Sequence, residues 1–276
     1  MLAQAARGQF AEAVPIAREI EDPGQRATAF ISIAQAQVGH RNVAEASANW
    51  EAASSIAEVD LGISAPFVFI QIAQAQDAVG QTSQANKSWE KARQSLVSHE
   101  LDLDNSASTN SFIARQEAIH GHLVEATKSW TAALQEARSI KGPVSQDIVL
   151  ANIARDQGAS GQWGDALRTM QTIRDGNSQD RALGSIARSE AEVGKFSEAL
   201  RRVQDIRGQQ IRSSALVGIA LAQSKAHRWK AARNTVALCL ERHRLLASTG
   251  ILIEYAIANN PKLAQQRLLI FDFNDY

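Results

Sequence analysis

The sequence has few of the residues that build cross-linked or membrane-embedded proteins. Cys239 is the one cysteine among 276 residues, which excludes an internal disulfide framework. No uninterrupted apolar run approaches the roughly 18 residues that a membrane-spanning helix needs. The 29 basic residues equal the 29 acidic ones, so the whole chain has no bulk electrostatic attraction to nucleic acid or an anionic membrane. We therefore expect a soluble protein, folded by burial of the 45% of its residues that are hydrophobic.

Charge is distributed unevenly along the chain. Residues 1–140 contain 10 Lys/Arg and 16 Asp/Glu, a net charge of −6, whereas residues 141–276 contain 19 and 13, a net charge of +6. Opposite charge on the two halves suggests one hypothesis, head-to-tail self-association into a homo-oligomer. No signal peptide is present, yet Met1 is followed at once by the middle of a repeat. We favour the cytoplasm, and a secreted or periplasmic location stays open if an upstream signal was removed.

An isoleucine followed by alanine recurs along the chain at intervals of 39, 41, 40, 33 and 33 residues. The isoleucines of these pairs, which we call the repeat isoleucines, are Ile33, Ile72, Ile113, Ile153, Ile186 and Ile219. A second alanine stands 13 residues after each of them, for example Ala199 after Ile186. Recurrence at such periods is typical of helical repeat arrays.

Spacing inside each unit predicts two helices. Apolar residues recur three and four apart on both sides of a short break, as at Leu183, Ile186, Phe196 and Ala199. Glycine occupies the break in five units and favours the left-handed backbone that ends a helix. Each unit is therefore predicted to be an antiparallel pair, helix A, turn and helix B, with small alanines that allow close approach. Residues 54–67, 93–111 and 137–147 carry extra length, expected as extended B helices and longer connections.

The segment "IARSEAEVGKFSEALRRV", residues 186–203, resembles the tetratricopeptide repeat family. The resemblance covers nearly the whole chain and implies an all-α, right-handed solenoid of antiparallel helix pairs with a groove lined by A helices. We place a truncated first unit at 1–27, a degenerate capping unit at 247–270 and a tail at 271–276. The full units between them are 28–66, 67–107, 108–147, 148–180, 181–213 and 214–246.

The fourth residue after each repeat isoleucine is Gln or Glu where the family has an aromatic residue. The set is Gln37, Gln76, Glu117, Gln157, Glu190 and Gln223, and Gln4 holds the equivalent position in the truncated first unit. Each should face helix B, where a polar group without a partner would cost about 1–3 kcal/mol. We predict a ladder of hydrogen bonds to turn backbone or neighbouring repeats.

The position two after each repeat isoleucine faces the groove in the family that the sequence resembles. It holds Gln35, Gln74, Arg115, Arg155, Arg188 and Leu221 here. Arginine forks bind carboxylates through two donors at once, so the resemblance implies a protein or peptide partner, possibly an acidic one. We expect further charged residues to flank this groove, namely Asp77, Arg181, Glu192 and Lys225. The alternative is a solvated helix face whose charges confer solubility alone.

Other functions find less support in the residues. We expect no enzymatic activity, no cofactor and no metal, since no phosphate-binding loop, nucleophile elbow or paired-carboxylate motif occurs. The His120-x-His122 pair lies at a turn, and loose spacings of this kind arise by chance. Nucleic-acid binding through the basic stretch 195–244 is the alternative function, but no interleaved aromatic residues favour base stacking there. The five tryptophans are expected to fill the core.

Overall fold

The computed structural model describes residues 2–98 and 102–259, and regular structure within these ranges is helical throughout. This is the all-α helical repeat fold that the sequence predicts. The chain divides into two compact units, residues 1–141 and 142–276. We call them unit 1 and unit 2.

The residues of unit 1 that the structure describes form four helix pairs, with a short 3₁₀ helix at Gly62–Ser64 between the second and third. The pairs are α1 (Leu2–Ala6) with α2 (Phe10–Arg18), α3 (Pro23–Gly39) with α4 (Val43–Asp60), α5 (Ala65–Ala78) with α6 (Thr82–Ser98), and α7 (Leu103–Ile119) with α8 (Leu123–Ser139).

The described part of unit 2, residues 142–259, contains three helix pairs and one further helix. They are α9 (Pro143–Ala159) with α10 (Trp163–Gln171), α11 (Gly176–Glu192) with α12 (Phe196–Asp205), α13 (Gln209–Lys225) with α14 (Trp229–Ala237), and α15 (Glu241–Asn259). The rest of the predicted capping unit and the tail 271–276 lie outside the described residues. The predicted right-handed course of the whole chain stays a prediction.

Full pairs begin two to five residues before the predicted unit borders, and α15 begins at Glu241 rather than at 247. In three of these pairs a side-chain cap fixes where the A helix begins. Asp22, Asp102 and Asp175 precede α3, α7 and α11, and each side chain accepts a hydrogen bond from the backbone N–H three residues later. The predicted borders followed the apolar pattern alone, and the first turn of each A helix contributes little to that pattern.

The same tight turn joins the helices of each pair. The backbone N–H of Lys195 donates to the carbonyl of Glu190 at 2.9 Å, and Gly194 between them has φ 84°. This six-to-one hydrogen bond is the Schellman motif. It repeats in every pair, so the predicted left-handed position is confirmed. Arg41 and His227 adopt the same conformation, with φ 62° and 57°, although they carry a Cβ.

Small residues fill the contact between the two helices of a pair. The repeat isoleucines from Ile33 to Ile219 are at most 1% exposed, and the alanines next to them and 13 residues after them are fully buried. Trp50, Trp89 and Trp130 occupy helix B of the longer pairs and are also buried, as the sequence predicts, whereas Trp163 and Trp229 are only half-buried. One alanine on each helix allows close approach, and the larger side chains fill the remaining volume.

A buried polar ladder crosses every full pair. The Gln or Glu four residues after the repeat isoleucine accepts a hydrogen bond of 2.6–2.8 Å from a residue 12 positions later on helix B of the same pair. The bonded pairs are Gln37 with Asn49, Gln76 with Ser88, Glu117 with Ser129, Gln157 with Thr169, Glu190 with Arg202, and Gln223 with Thr235.

The prediction that these side chains face helix B and are hydrogen-bonded is confirmed in the full pairs. For this shared bond the predicted partners were wrong, because it goes to helix B of the same pair. Glu117 also has a predicted partner in a neighbouring repeat, since it pairs with Arg93 of α6. In the truncated first pair Gln4 donates to Glu12 instead, at 3.2 Å, since the residue 12 positions later is Ile16. A recurring Asn, Ser, Thr or Arg at that offset was the signal that sequence reasoning missed.

The B helices differ in length between the two units. In the full pairs of unit 1 they have 17 or 18 residues, and in unit 2 they have 9 or 10. The prediction of extended B helices is therefore confirmed. Between successive pairs of unit 1, the A helix packs more on the preceding B helix than on the preceding A helix, whereas in unit 2 successive A helices pack extensively against one another. Unit 2 thus presents a closely spaced layer of A helices.

In unit 2 a polar residue six positions before each repeat isoleucine caps the connection to the following pair. Asp180 accepts hydrogen bonds from the backbone N–H groups of Arg207 and Gly208, at 3.2 and 2.7 Å. Asp147 makes the same contacts one repeat earlier, and Ser213 accepts from Leu240 one repeat later. These contacts satisfy N–H groups at the start of the following A helix.

Candidate functional site

A cavity of about 440 Å³ opens on the A helices of unit 2. It is bordered by α9, α11 and α13, with one side chain from α15. The lining residues are Ile148, Ala151, Asn152, Arg155, Ser178, Arg181, Gly184, Ser185, Arg188, Gln210, Ile211, Ser214 and His243. Three arginines but no carboxylate lie in this lining, so its electrostatic character is positive.

Three residues expected at the groove from the sequence come together here, namely Arg155, Arg181 and Arg188. Arg155 is half exposed, and its Nε lies 3.2 Å from Oδ1 of the buried Asp156. Arg181 is exposed on α11 and has no hydrogen-bonding or ionic partner among the described residues. Arg188 donates from Nη2 to the hydroxyl of Ser185 at 3.0 Å. Of these three arginines, only Arg155 therefore has a carboxylate of the described chain at close range.

Arg188 is held by a glycine of the following repeat. A Cβ added at Gly218 on α13 would lie 2.6 Å from Cδ and 2.7 Å from Cγ of Arg188. The absence of a side chain at Gly218 lets the aliphatic stem of Arg188 lie against α13. Burial lowers the pKa of the Arg188 guanidinium, Glu192 one turn later raises it, and the positive charge of Arg155 lowers it. The guanidinium is therefore desolvated and crowded by like charge before a ligand arrives.

Other cavity residues were not predicted, although a helical signal for them exists. Asn152 and Ser185 stand one position before a repeat isoleucine, and Ile148 and Ser214 stand five positions before one, as does the predicted Arg181. These positions lie three and seven residues before the predicted groove-facing position of their own helix, on the same helix face. Extending the groove-facing position by helical periodicity finds most of this surface.

Unit 1 presents a different surface on its A helices. Gln35 and Gln74, both expected at the groove, line a cavity of about 330 Å³ together with Val38, Gln71, Ala75 and Ala78. The amide of Gln74 donates to Gln116 of α7 at 2.7 Å. This cavity is lined by amides and small apolar groups and carries no formal charge.

The structure places the other expected groove residues apart from these two cavities. Asp77 accepts hydrogen bonds from the indole N–H of Trp89 at 3.0 Å and from His122 at 2.8 Å, so its carboxylate joins α5 to α6 and α8. Arg115 is half-buried on α7, and Lys225 is exposed in the last turn of α13. Their roles in binding stay predictions.

Glu117 has the most perturbed carboxylate among the described residues. It is fully buried, accepts a hydrogen bond of 2.8 Å from Ser129 and pairs with Arg93 of α6. Burial outweighs the attraction of Arg93 and raises the pKa of Glu117 to about 7. The group lies inside the packing of α6, α7 and α8, so its titration near neutral pH acts on stability.

No cluster of three or more His, Cys, Asp or Glu side chains within residues 2–98 and 102–259 is arranged to hold a metal ion. Among the helices that the structure describes, none is both long enough and apolar enough to cross a membrane.

Comparison with known proteins leaves the family open. No family model and no curated protein matches the chain. A solved structure that matches is the crystal structure of Ton1535 from Thermococcus onnurineus NA1. It is 16% identical, the match covers 88% of this chain and 83% of that one, and the TM-score is 0.38.

Proposed function

We propose that the chain is a non-enzymatic interaction protein of the tetratricopeptide kind, which holds an extended acidic segment of a protein partner on its A helices. The observation that carries the proposal is the cavity of unit 2, where Arg155, Arg181 and Arg188 share one lining without a carboxylate. Polar donors in a concave surface, with no acidic counterpart, fit a ligand that supplies the negative charge.

Spacing of the helices supports an extended ligand. Arg155 and Arg188 occupy the same position of adjacent A helices, and packed helices lie about 10 Å apart. An extended chain advances about 3.3 Å per residue. Acidic side chains at every third residue of a bound segment therefore match the two guanidinium groups.

Several basic side chains of residues 195–244, the stretch that suggested nucleic-acid binding, make contacts within the folded chain. Of the 11 basic residues in this stretch, two lie over aromatic rings and three donate to side chains or carbonyls inside the chain. These five are Lys195 over Trp163, Arg228 over Phe196, Arg202 to Glu190, Arg212 to Ile206, and Arg244 to Cys239. Their charges serve packing and capping, which favours the peptide hypothesis over a continuous phosphate-tracking surface.

The test uses a fluorescein-labelled heptapeptide with glutamate at positions 1, 4 and 7 and glycine elsewhere. We expect its fluorescence anisotropy to rise on titration with the full chain, and a matched lysine peptide to show no binding. The double variant Arg155→Gln/Arg188→Gln should weaken binding by about tenfold or more, since each lost charge-assisted hydrogen bond contributes about 1.5–3 kcal/mol.

Arg201→Gln is the matched control, because Arg201 is an exposed helical arginine on α12 that does not line the cavity. It should bind the glutamate peptide as the parent chain does, and all variants should keep the same far-UV circular dichroism. Equal affinity of the double variant and the parent chain would show that the acidic segment does not bind here.

A further inference from the structure

The cavity of unit 2 carries unneutralised positive charge. Arg181 has no ionic partner among the described residues, and the guanidinium of Arg188 donates to the neutral hydroxyl of Ser185. Glu192 lies one turn beyond Arg188 on α11, but its carboxylate does not line the cavity. Two guanidinium groups of one helix, α11, therefore face this space without a carboxylate in the lining to balance them.

Neutral hydrogen-bonding side chains line the same cavity as these arginines. Hydroxyls of Ser178, Ser185 and Ser214 and amides of Asn152 and Gln210 belong to the same lining. A carboxylate has a single negative charge and two oxygens. A phosphate monoester carries a charge of about −1.5 to −2 at neutral pH and three strongly accepting oxygens. A lining with several cations, several hydroxyls and no carboxylate satisfies the larger and more highly charged group.

The stem of Arg188 is already ordered by its contact with α13. Because it lies against Gly218, the guanidinium loses little further conformational freedom when an anion binds. The cavity volume of about 440 Å³ exceeds that of a phosphate group, so it also accommodates the residue that carries the phosphate.

We propose that this cavity binds the phosphate of a phosphorylated serine or threonine in the partner segment, with Arg181 and Arg188 contacting its oxygens. This inference rests on the proposed function, since the phosphoresidue belongs to the same bound segment. It specifies the charge and shape of the group that enters the cavity of unit 2.

The experiment compares three labelled pentapeptides that have phosphoserine, glutamate or serine between pairs of glycines, with blocked ends. We expect the full chain to bind the phosphoserine peptide about tenfold more tightly than the glutamate peptide, and the serine peptide not at all. Arg181→Gln should weaken phosphoserine binding by about tenfold or more. Arg201→Gln is the control and should leave it unchanged. Arg181 is exposed, so its substitution tests the site without disturbing the core.

The outcomes separate this inference from the proposed function. If the heptapeptide with three glutamates binds and the phosphoserine peptide binds no better than its glutamate counterpart, the phosphate inference is overturned and the proposed function stands. If neither peptide binds, both are overturned. Inorganic phosphate is tested as a competitor in the same assay. If it displaces the labelled phosphoserine peptide at the same concentrations as unlabelled phosphoserine peptide does, the cavity binds phosphate itself and the inference of a phosphorylated protein segment is overturned. If Arg181→Gln binds the phosphoserine peptide with unchanged affinity, the phosphate does not bind in this cavity.

Discussion

The hydroxyl of Thr169 donates a hydrogen bond of 2.8 Å to Oε1 of Gln157, and both side chains are buried where α9 meets α10. The two residues are 12 apart, and the same offset recurs in every full pair. A buried acceptor that loses its donor costs about 1–3 kcal/mol, whereas a satisfied pair contributes only about 1 kcal/mol. The ladder therefore acts chiefly against misregistered pairings of helix A with helix B, each of which would leave such groups without partners.

Replacing Thr169 by valine tests the ladder. Thr169→Val keeps the shape of the side chain and leaves Oε1 of Gln157 without its donor, so we expect the free energy of unfolding to fall by about 1–3 kcal/mol. The measurement is urea unfolding followed by circular dichroism. Thr249→Val is the control, because that hydroxyl is exposed and bonds within its own helix. If both variants lose equally little stability, the ladder does not act as described.

The stability of the protein should depend on pH through Glu117. Its pKa is about 7 in the folded protein and about 4.5 in the unfolded chain, so between these values the folded state binds more protons. Stability attributable to this group is therefore present at low pH and is lost as pH rises from about 4.5 to about 7, by up to about 3 kcal/mol.

Glu117→Gln should remove this pH dependence, and Arg93 keeps an acidic partner in Glu90. The measurement is the free energy of unfolding at intervals between pH 4.5 and 7.5. The exposed Glu51→Gln on α4 should retain the slope of the parent chain. An unaltered slope in Glu117→Gln would mean that other groups carry the pH dependence.

Glycine should stabilise the turn at Arg41. Arg41 has φ 62°, a left-handed conformation that costs about 1–2 kcal/mol for a residue with a Cβ. We expect Arg41→Gly to increase the free energy of unfolding by about 0.5–1 kcal/mol, after the entropy of the more flexible unfolded chain is subtracted. Arg18→Gly, at the end of α2 in right-handed helical conformation, should instead destabilise by up to about 1 kcal/mol. Thermal unfolding of the two variants should therefore shift in opposite directions.

Gly218→Ala should separate binding from stability. The added Cβ occupies the space of the Arg188 stem and moves its guanidinium, while alanine improves the helix propensity of α13 by up to about 1 kcal/mol. We expect the affinity for the glutamate heptapeptide to fall severalfold, with helicity kept. Gly164→Ala on α10 is the control, since its Cβ would meet no atom closer than 3.8 Å. Unchanged affinity in Gly218→Ala would show that Arg188 does not contact the peptide.

The sequence by itself determined the local structure, because the forces that set it act within a few residues. Apolar spacing of three and four defines each helix, and the turn at Gly194 follows from a conformation that glycine adopts easily. The alanines at fixed intervals predicted that the helices pack in pairs. The position of Gln157 on the inner face of its pair could also be predicted from the sequence, because helical periodicity fixes which side of the helix a residue faces.

Only the tertiary structure decided which residues meet across helices. The contact of Gln157 with Thr169 depends on the register of two antiparallel helices, and the contact of Arg188 with Gly218 depends on how one repeat packs on the next. Caps such as Asp180 likewise lie 27 or 28 residues from their partners. Residue types recur at these offsets, but a single sequence does not show which of the recurring side chains meet. Side-chain packing in three dimensions sets these contacts, and it brings Arg155, Arg181 and Arg188 into one cavity.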